Sequence, residues 1–205
     1  MPINLSFSSV LKYLISTSPL YVTIFLVLGS LLNQDVKGLV YLGFVLIVTL
    51  AAIGLKKIFR GGGRPAGYTE DACQLFTYPE LLTTISNPDL NSVFLAFTTT
   101  YLILPMVYGA APLNALLIIF MGTLILGNGI TRKSAGCNYI TDLLVGNLVG
   151  AGLGVGFFYA LWSKQENRHL LFTSDLGSNR VSCSRPSKQT FKCAVYKNGQ
   201  LIKNL

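Results

Sequence analysis

The feature that most constrains this chain is the grouping of its apolar residues into long, nearly uncharged blocks. The blocks are roughly 16 to 24 residues long, close to the ~20 residues that a helix needs to cross the hydrocarbon of a bilayer. Hydrophobic residues make up 51% of the chain and charged residues 12%, and the mean hydropathy is +0.55. These values exclude an ordinary soluble globule. We therefore predict an all-α integral membrane helical bundle.

Proline, glycine and charged residues between the blocks define about five predicted transmembrane helices. These spans are residues 19–32, 38–55, 92–108, 112–126 and 139–162. The first is short, and a kink at Pro19 would let it take length from residues 10–18, so its start stays open. Apolar residues at helical spacing before it predict an amphipathic interfacial helix. The predicted units are residues 1–17, the bundle 18–163 and a tail 164–205.

The tail is polar and basic. From residue 163 onward it has eight lysines and arginines against Glu166 and Asp175. The positive-inside rule therefore places it on the cytoplasm-like face, and alternation of five spans places the loops 56–90 and 127–138 on the opposite face. Asn198-Gly199 between two extended runs predicts a small β-hairpin. The expected partners are membrane lipids and a protein bound through the tail, whereas nucleic acid is disfavoured because aromatic and basic residues do not interleave.

Histidine and cysteine usage gives no support for a metal site or a cofactor. His169 is the only histidine, and the four cysteines form no C-x-x-C pair. Cys73 and Cys137 fall on one predicted face and could pair in an oxidising compartment, although free thiols are the commoner outcome. No cleaved signal peptide is predicted.

Glycines recur every fourth residue in the last predicted span. Gly146, Gly150 and Gly154 form one series, and Gly152 and Gly156 form a second pair. Small residues at this spacing inside an apolar helix allow two backbones to approach closely. We predict close helix packing here rather than a nucleotide-binding loop.

Three short motifs lie in or beside the two loops of the face opposite the tail. Lys57 is followed by six residues and then Arg64-Pro65; residues 88–91 read PDLN; and residues 131–142 read TRKSAGCNYITD. In order and placement these resemble the three signatures of the type 2 phosphatidic-acid phosphatase and haloperoxidase superfamily. Those signatures are Lys-x6-Arg-Pro, Pro-Ser-Gly-His and Ser-Arg-x5-His-x3-Asp. The resemblance implies a phosphatase-like helical bundle in which asparagine has replaced both catalytic histidines.

The resemblance assigns a role to each matching position. Lys57, Arg64 and Arg132 correspond to the residues that cradle phosphate oxygens. Asn138 stands where the superfamily has its nucleophilic histidine, and Asn91 stands where it has the histidine that protonates the leaving group. An amide can do neither, because it does not titrate near neutral pH and is a poor nucleophile. No catalytic residue is therefore expected.

Two aspartates add to this hypothesis. Asp89 replaces a serine of the superfamily motif and would repel a phosphate dianion, so we predict a salt bridge from it to Arg64 or Arg132. Asp142 is expected to accept a hydrogen bond from Asn138 one helical turn earlier, with Arg132 as its counter-ion. The alternative is that Asp142 is itself the nucleophile, as in aspartyl-phosphate enzymes.

The function predicted from these features is that of a catalytically inactive, phosphatase-fold membrane protein with a structural or scaffolding role. Its compact, degenerate bundle with an appended tail suggests the internal membrane of a virion as one setting. Two alternatives stay open: an active lipid-phosphate phosphatase that uses altered residues, and a sensor that binds phosphate or a lipid headgroup without turnover.

Overall fold

The computed structural model describes residues 7–58, 63–66, 68–69, 73, 85–172, 194–197 and 200–204. Within these residues a short 3-10 helix, Gln165–Leu170, follows the last α-helix. Six α-helices precede it: α1 (Phe7–Ser16), α2 (Ser18–Leu32), α3 (Lys37–Ile58), α4 (Leu90–Val107), α5 (Ala115–Ser134) and α6 (Ile140–Trp162).

Two short strands lie in the tail. Strand β1 (Ala194–Lys197) pairs antiparallel with β2 (Gln200–Asn204). The Asn198-Gly199 turn on which the predicted hairpin depends lies outside the described residues. The proposed docking role of the tail stays a prediction.

The number of membrane-length helices agrees with the sequence analysis. Helices α3, α4, α5 and α6 are each long and apolar enough to cross a bilayer. The pair Val10–Ser16 and Ser18–Leu32, bent by 57°, makes a fifth span if the two pieces are counted together. The described residues thus contain four to five helices of membrane length, which is consistent with the predicted multi-pass helical membrane protein.

The break between α1 and α2 differs from the predicted one. The kink was predicted at Pro19, but α2 already begins at Ser18, and Thr17 holds the cap position without a side-chain hydrogen bond. The Ser18 hydroxyl donates instead to the Ile15 carbonyl at 2.7 Å, and that of Thr17 to the Tyr13 carbonyl at 2.7 Å. Because a single residue separates the helices, these hydroxyls serve the end of α1 rather than the start of α2.

Helix α5 is shifted relative to its prediction at both ends. It begins at Ala115, with Asn114 as N-cap accepting the Leu117 N–H at 3.1 Å, and it continues to Ser134. The predicted loop 127–138 is therefore mostly helical, which is a correction. Gly127 and its neighbours resemble a turn, but a Cβ at Gly127 would lie 3.1 Å from Ile15 of α1. Tertiary packing overrides the local turn signal here.

The core of the bundle is aromatic and lies around α4. Tyr41, Phe97 and Tyr101 are fully buried and contact one another, and the Tyr41 hydroxyl bonds Thr98 Oγ1 at 2.8 Å. Phe172, after the 3-10 helix, packs edge-on against Tyr41 and Tyr101. The chain therefore turns back after α6 and inserts into the core from the tail side.

The predicted glycine contact between helices is confirmed. Cβ atoms added at Gly146, Gly150 and Gly154 would lie 2.8, 2.1 and 2.9 Å from backbone carbonyl oxygens of the α4 segment. By contrast, nothing lies within 4 Å of such an atom at Gly152 or Gly156. The first series therefore faces α4 and the second pair does not.

We expect Gly150→Ala to lower the free energy of unfolding by about 1 to 3 kcal/mol, the usual cost of overpacking. The loss arises because the added methyl group would meet the Val93 carbonyl at 2.1 Å, which forces α4 and α6 apart. Gly152→Ala is the matched control; it should be neutral or stabilising, since alanine favours helix by up to about 1 kcal/mol. Unfolding in detergent micelles measures both. Equal stability of the two variants would contradict the contact.

Candidate functional site

One end of the bundle carries the polar residues singled out from the sequence. There α3 and α5 end, α4 and α6 begin, and Asp89 is the N-cap of α4. Its Oδ2 accepts the Ser92 N–H at 2.9 Å and the Ser92 hydroxyl at 2.8 Å, while Asn128 Nδ2 donates to Ser92 Oγ at 3.1 Å. We call this end, with the residues bonded there, the polar cluster.

An ion pair joins Asp89 to α5. Arg132 Nε lies 3.5 Å from Asp89 Oδ1, and both side chains are largely buried, with 15% and 4% of their surface exposed. The predicted salt bridge of Asp89 is thus confirmed, with Arg132 as the partner. Burial by itself would raise the pKa of Asp89, but the positive charge of Arg132 and the hydrogen bonds from Ser92 and Asn128 hold it below its usual range.

A disulfide crosses the polar cluster. Cys73 and Cys137 are bonded to each other, which is the pairing that the sequence left open. The carbonyl of each cysteine is also held by an arginine: Arg132 Nη1 donates to the Cys73 carbonyl at 2.9 Å and Arg64 Nη1 to the Cys137 carbonyl at 3.2 Å. These contacts bring two cysteines that are 64 residues apart in sequence to the same place.

The arginine of the first motif lies beside an aromatic ring. The Arg64 guanidinium carbon is 4.5 Å from the centroid of Tyr68, a cation–π distance. Burial lowers the pKa of Arg64, and the neighbouring Arg132 acts in the same direction. The guanidinium nevertheless stays charged, because an arginine pKa lies far above neutrality.

The lysine in the cluster is not the one predicted. Lys57 is exposed, whereas Lys56 is 3% exposed and its Nζ donates to the Ile85 carbonyl at 2.9 Å. Lys56 interacts electrostatically with both arginines and with Asp89. The structure therefore brings Arg64, Arg132 and Lys56 together and leaves Lys57 outside.

The sequence contained a signal that identifies Lys56. Helix α3 continues to Ile58, so consecutive residues near its end lie about 100° apart around the axis. From Tyr41 onward the buried residues of α3 are Tyr41, Val45, Val48, Ala52 and Lys56, at the spacing of one helical face. Continuing the apolar stripe by four residues from Ala52 would have selected Lys56.

The two asparagines of the motifs bond in different directions. Asn138 is 4% exposed, and its Nδ2 donates to the Ser86 carbonyl at 3.2 Å. Asn91 Nδ2 donates to the Ser16 carbonyl at 3.1 Å, at the end of α1. Asn138 thus holds the segment before α4, whereas Asn91 connects α4 to the N-terminal helix.

The expected hydrogen bond between Asn138 and Asp142 was wrong. Asp142 is the third residue of α6 and its Oδ2 accepts the Tyr139 N–H at 3.0 Å, as in a capping box. Asn138 precedes the helix, so the spacing of helical neighbours does not apply to it. Arg132, the expected counter-ion of Asp142, forms its ion pair with Asp89 instead.

The polar side chains of the cluster form hydrogen bonds and an ion pair with other groups of the protein. Among the described residues no group of three or more His, Cys, Asp or Glu side chains is placed to hold a metal ion. The absence of a metal or cofactor stays a prediction. Three cationic side chains and two carboxylates meet at one end of the bundle, and the contacts described above join them to protein atoms.

The fold and this cluster define a multi-pass helical membrane protein with a disulfide-crossed polar cluster at one end of its bundle. No protein-family model, curated protein or solved structure matches the chain. The resemblance to phosphatidic-acid phosphatases stays a prediction.

Proposed function

We propose that this protein is a catalytically inactive, structural membrane protein whose polar cluster holds its loops against the helix ends. The observation that carries the proposal is that the cationic side chains of the cluster bind atoms of the protein. Lys56, Arg64 and Arg132 each donate to a backbone carbonyl, and Arg132 also pairs with Asp89. Such donors stabilise a loop in the way that they would otherwise stabilise a phosphate.

The side chains at the motif positions support an inactive protein. Asn138 and Asn91 are amides without a titrating group, and both donate to backbone carbonyls. Asp142 is 3% exposed and caps α6, which is a structural role. A carboxylate at Asp89 beside Arg132 would oppose entry of a phosphate dianion by charge repulsion.

The proposal is tested by measuring phosphate release from micelles of a short-chain phosphatidic acid. We expect no release above a protein-free blank from the wild type, Arg132→Ala or Asp142→Asn. Inorganic phosphate or vanadate should leave the melting temperature of the wild type unchanged. Turnover that Asp142→Asn abolishes would favour the phosphatase, and phosphate-induced stabilisation that Arg64→Ala weakens would favour the sensor.

The scaffold role is proposed for the tail. The described strands β1 and β2 pair with each other, and a two-stranded sheet has edges at which a partner strand can add by main-chain hydrogen bonds. The basic residues of the tail suit an acidic protein or lipid surface. The internal membrane of a virion remains one proposed setting for such a scaffold.

We also propose that the tail lies on the cytoplasm-like face and the polar cluster on the opposite one. The basic charge of the tail favours this orientation, and the disulfide supports it independently, since disulfides persist in oxidising compartments. A membrane-impermeant thiol reagent tests it in sealed right-side-out vesicles. Labelling of Cys183 without opening the vesicles would contradict the orientation.

A further inference from the structure

Aromatic side chains are grouped at the end of the bundle opposite the polar cluster. There α4 ends directly before Tyr108 and α6 ends at Trp162. The Tyr108 ring lies 5.6 Å from the Trp162 ring, and its hydroxyl is hydrogen-bonded to that of Tyr159. Tyr108 and Tyr159 are each 44% exposed. Because tryptophan and tyrosine concentrate where the hydrocarbon of a bilayer meets its headgroups, these rings indicate the level of the headgroups on the tail side.

Arg168 is held against these rings by two contacts. Its guanidinium carbon lies 4.1 Å from the centroid of the Trp162 ring, a cation–π distance, and its Nε donates to the Trp162 carbonyl at 3.0 Å. The 3-10 helix Gln165–Leu170, which contains Arg168, is fixed to the bundle by the buried side chains of Leu171 and Phe172 directly after it. Arg168 therefore has a defined place and orientation beside the end of α6.

The other donors of Arg168 are unused within the described part of the chain. Its Nε contact leaves the N–H groups of both Nη atoms, which lie side by side in the fixed fork of the guanidinium. Among the described residues Arg168 forms no ion pair, although Glu166 lies on the same 3-10 helix. A fork of this kind can donate to two oxygens of one phosphate group. Arg168 is thus already positioned to bind a phosphate.

The charges around Arg168 favour an anion. The last carbonyl oxygens of a helix carry partial negative charge and would repel a phosphate. At the end of α6, however, the Tyr159 carbonyl accepts the Ser163 N–H at 2.9 Å and the Trp162 carbonyl accepts Arg168 Nε. Lys164, exposed and directly before the 3-10 helix, adds a second positive charge, so the two basic side chains outweigh Glu166.

Charge and depth together identify the partner. The free fork of Arg168 suits a phosphate, and the aromatic rings place it at the level where the phosphates of phospholipids lie. We propose that Arg168, stacked on Trp162, binds the phosphate of an anionic phospholipid in the tail-side leaflet. Lys164 favours a headgroup that has no positive charge of its own. The proposal rests on the membrane placement of the helices and is independent of activity at the polar cluster and of the tail hairpin.

Trp162 is the only tryptophan of the chain, so its fluorescence reports on this site alone. The test uses the full chain reconstituted in bilayers of dioleoyl phosphatidylcholine. Part of this lipid is replaced by brominated phosphatidylglycerol or, in parallel, by brominated phosphatidylcholine, both of which quench a nearby tryptophan. We expect half-maximal quenching of the wild type at about a tenfold lower mole fraction of the phosphatidylglycerol, because hydrogen bonds between charged groups are the strong ones.

Three variants isolate the contact. Arg168→Gln should remove the preference, so that both brominated lipids quench Trp162 alike. Arg168→Lys retains the charge but not the fork, and it should keep a preference of only about twofold to fivefold. Lys133→Gln removes the same charge from an exposed side chain at the polar-cluster end; it is the matched control and should keep the full preference. Melting temperatures show which variants fold, and if Arg168→Gln does not, Arg168→Lys provides the comparison.

Several results would overturn the proposal. Equal quenching of the wild type by the two lipids is one, and a full preference in Arg168→Gln or Arg168→Lys is another, because other basic residues would then attract the lipid. In detergent micelles without phospholipid, inorganic phosphate should leave the Trp162 fluorescence unchanged. A saturable change that Arg168→Gln removes would assign the site to a soluble anion instead of a lipid.

Discussion

Replacing Cys137 with serine is expected to lower the free energy of unfolding by about 4 kcal/mol, because the disulfide closes a loop of 64 residues. Without the bond the unfolded chain gains the conformational freedom of that loop, while the folded chain loses a link between its α5–α6 turn and the loop after α3. Unfolding in detergent micelles, followed by helical circular dichroism, measures the change. Adding a reductant to the wild type should reproduce it.

Cys183→Ser is the control for this substitution. It replaces a cysteine of the tail, outside the described residues, and leaves the bond between Cys73 and Cys137 intact. We expect it to unfold like the wild type and to keep its sensitivity to reductant. If Cys137→Ser and Cys183→Ser were equally stable, the disulfide would not constrain the fold.

The disulfide is a feature that the sequence predicts only in part. The sequence placed Cys73 and Cys137 on one face, because hydropathy gives the number of spans and alternation then assigns each loop to a side. It could not decide whether they pair, because that depends on whether the loop after α3 folds back. Arg64 and Arg132 hold this loop against the α5–α6 turn by donating to the carbonyls of the two cysteines. Contacts to backbone carbonyls cannot be predicted from the order of residue types.

The spans were predictable and their ends were less so. A stretch of apolar residues at membrane length is a strong physical signal, and the part of the chain that the structure describes has four to five such helices. The end of α5 was missed because Gly127 and Asn128 resemble a turn. In the folded protein Gly127 gives close approach to Ile15, and Asn128 hydrogen-bonds Ser92 of α4, so both residues are used for packing inside a helix.

Some contacts of the polar cluster follow from the sequence, whereas others depend on the fold. The ion pair of Asp89 with Arg132 follows from placing opposite charges in two loops of the same face, which the sequence allows. The choice of Lys57 followed the motif spacing, whereas burial is determined by the helical phase of α3, which selects Lys56. The partner of Asn138 depends on the path of the segment before α4, which the sequence alone does not give.

Removing Arg132 is expected to cost about 3 to 5 kcal/mol, the usual effect of leaving one charge of a buried pair without its partner. Asp89 is 3% exposed, so the carboxylate cannot recover hydration when Arg132→Ala removes the guanidinium. The Cys73 carbonyl loses its donor at the same time. Lys133→Ala is the matched control: the neighbouring side chain is exposed, and we expect its loss to change stability by less than about 0.5 kcal/mol.

The pH dependence separates the charge effect from a loss of packing. In the wild type the pKa of Asp89 is held below its usual value, so its contribution is present above the unfolded pKa, about 3.9, and is lost as the pH falls through the lower folded value. In Arg132→Ala, burial should instead raise this pKa. Stability should then increase as the pH falls through this raised folded pKa and reach its full gain below the unfolded pKa of about 3.9, because the protonated acid is the form that tolerates burial.

A double variant completes the test. Asp89→Asn in the Arg132→Ala background removes the unpaired carboxylate and keeps a side chain suited to the N-cap. We expect it to recover part of the lost stability at neutral pH and to abolish the gain on acidification. If the single and double variants were equally unstable and showed the same pH profile, the 3.5 Å contact between Arg132 and Asp89 would be incidental. The polar cluster would then be held by its backbone contacts and the disulfide alone.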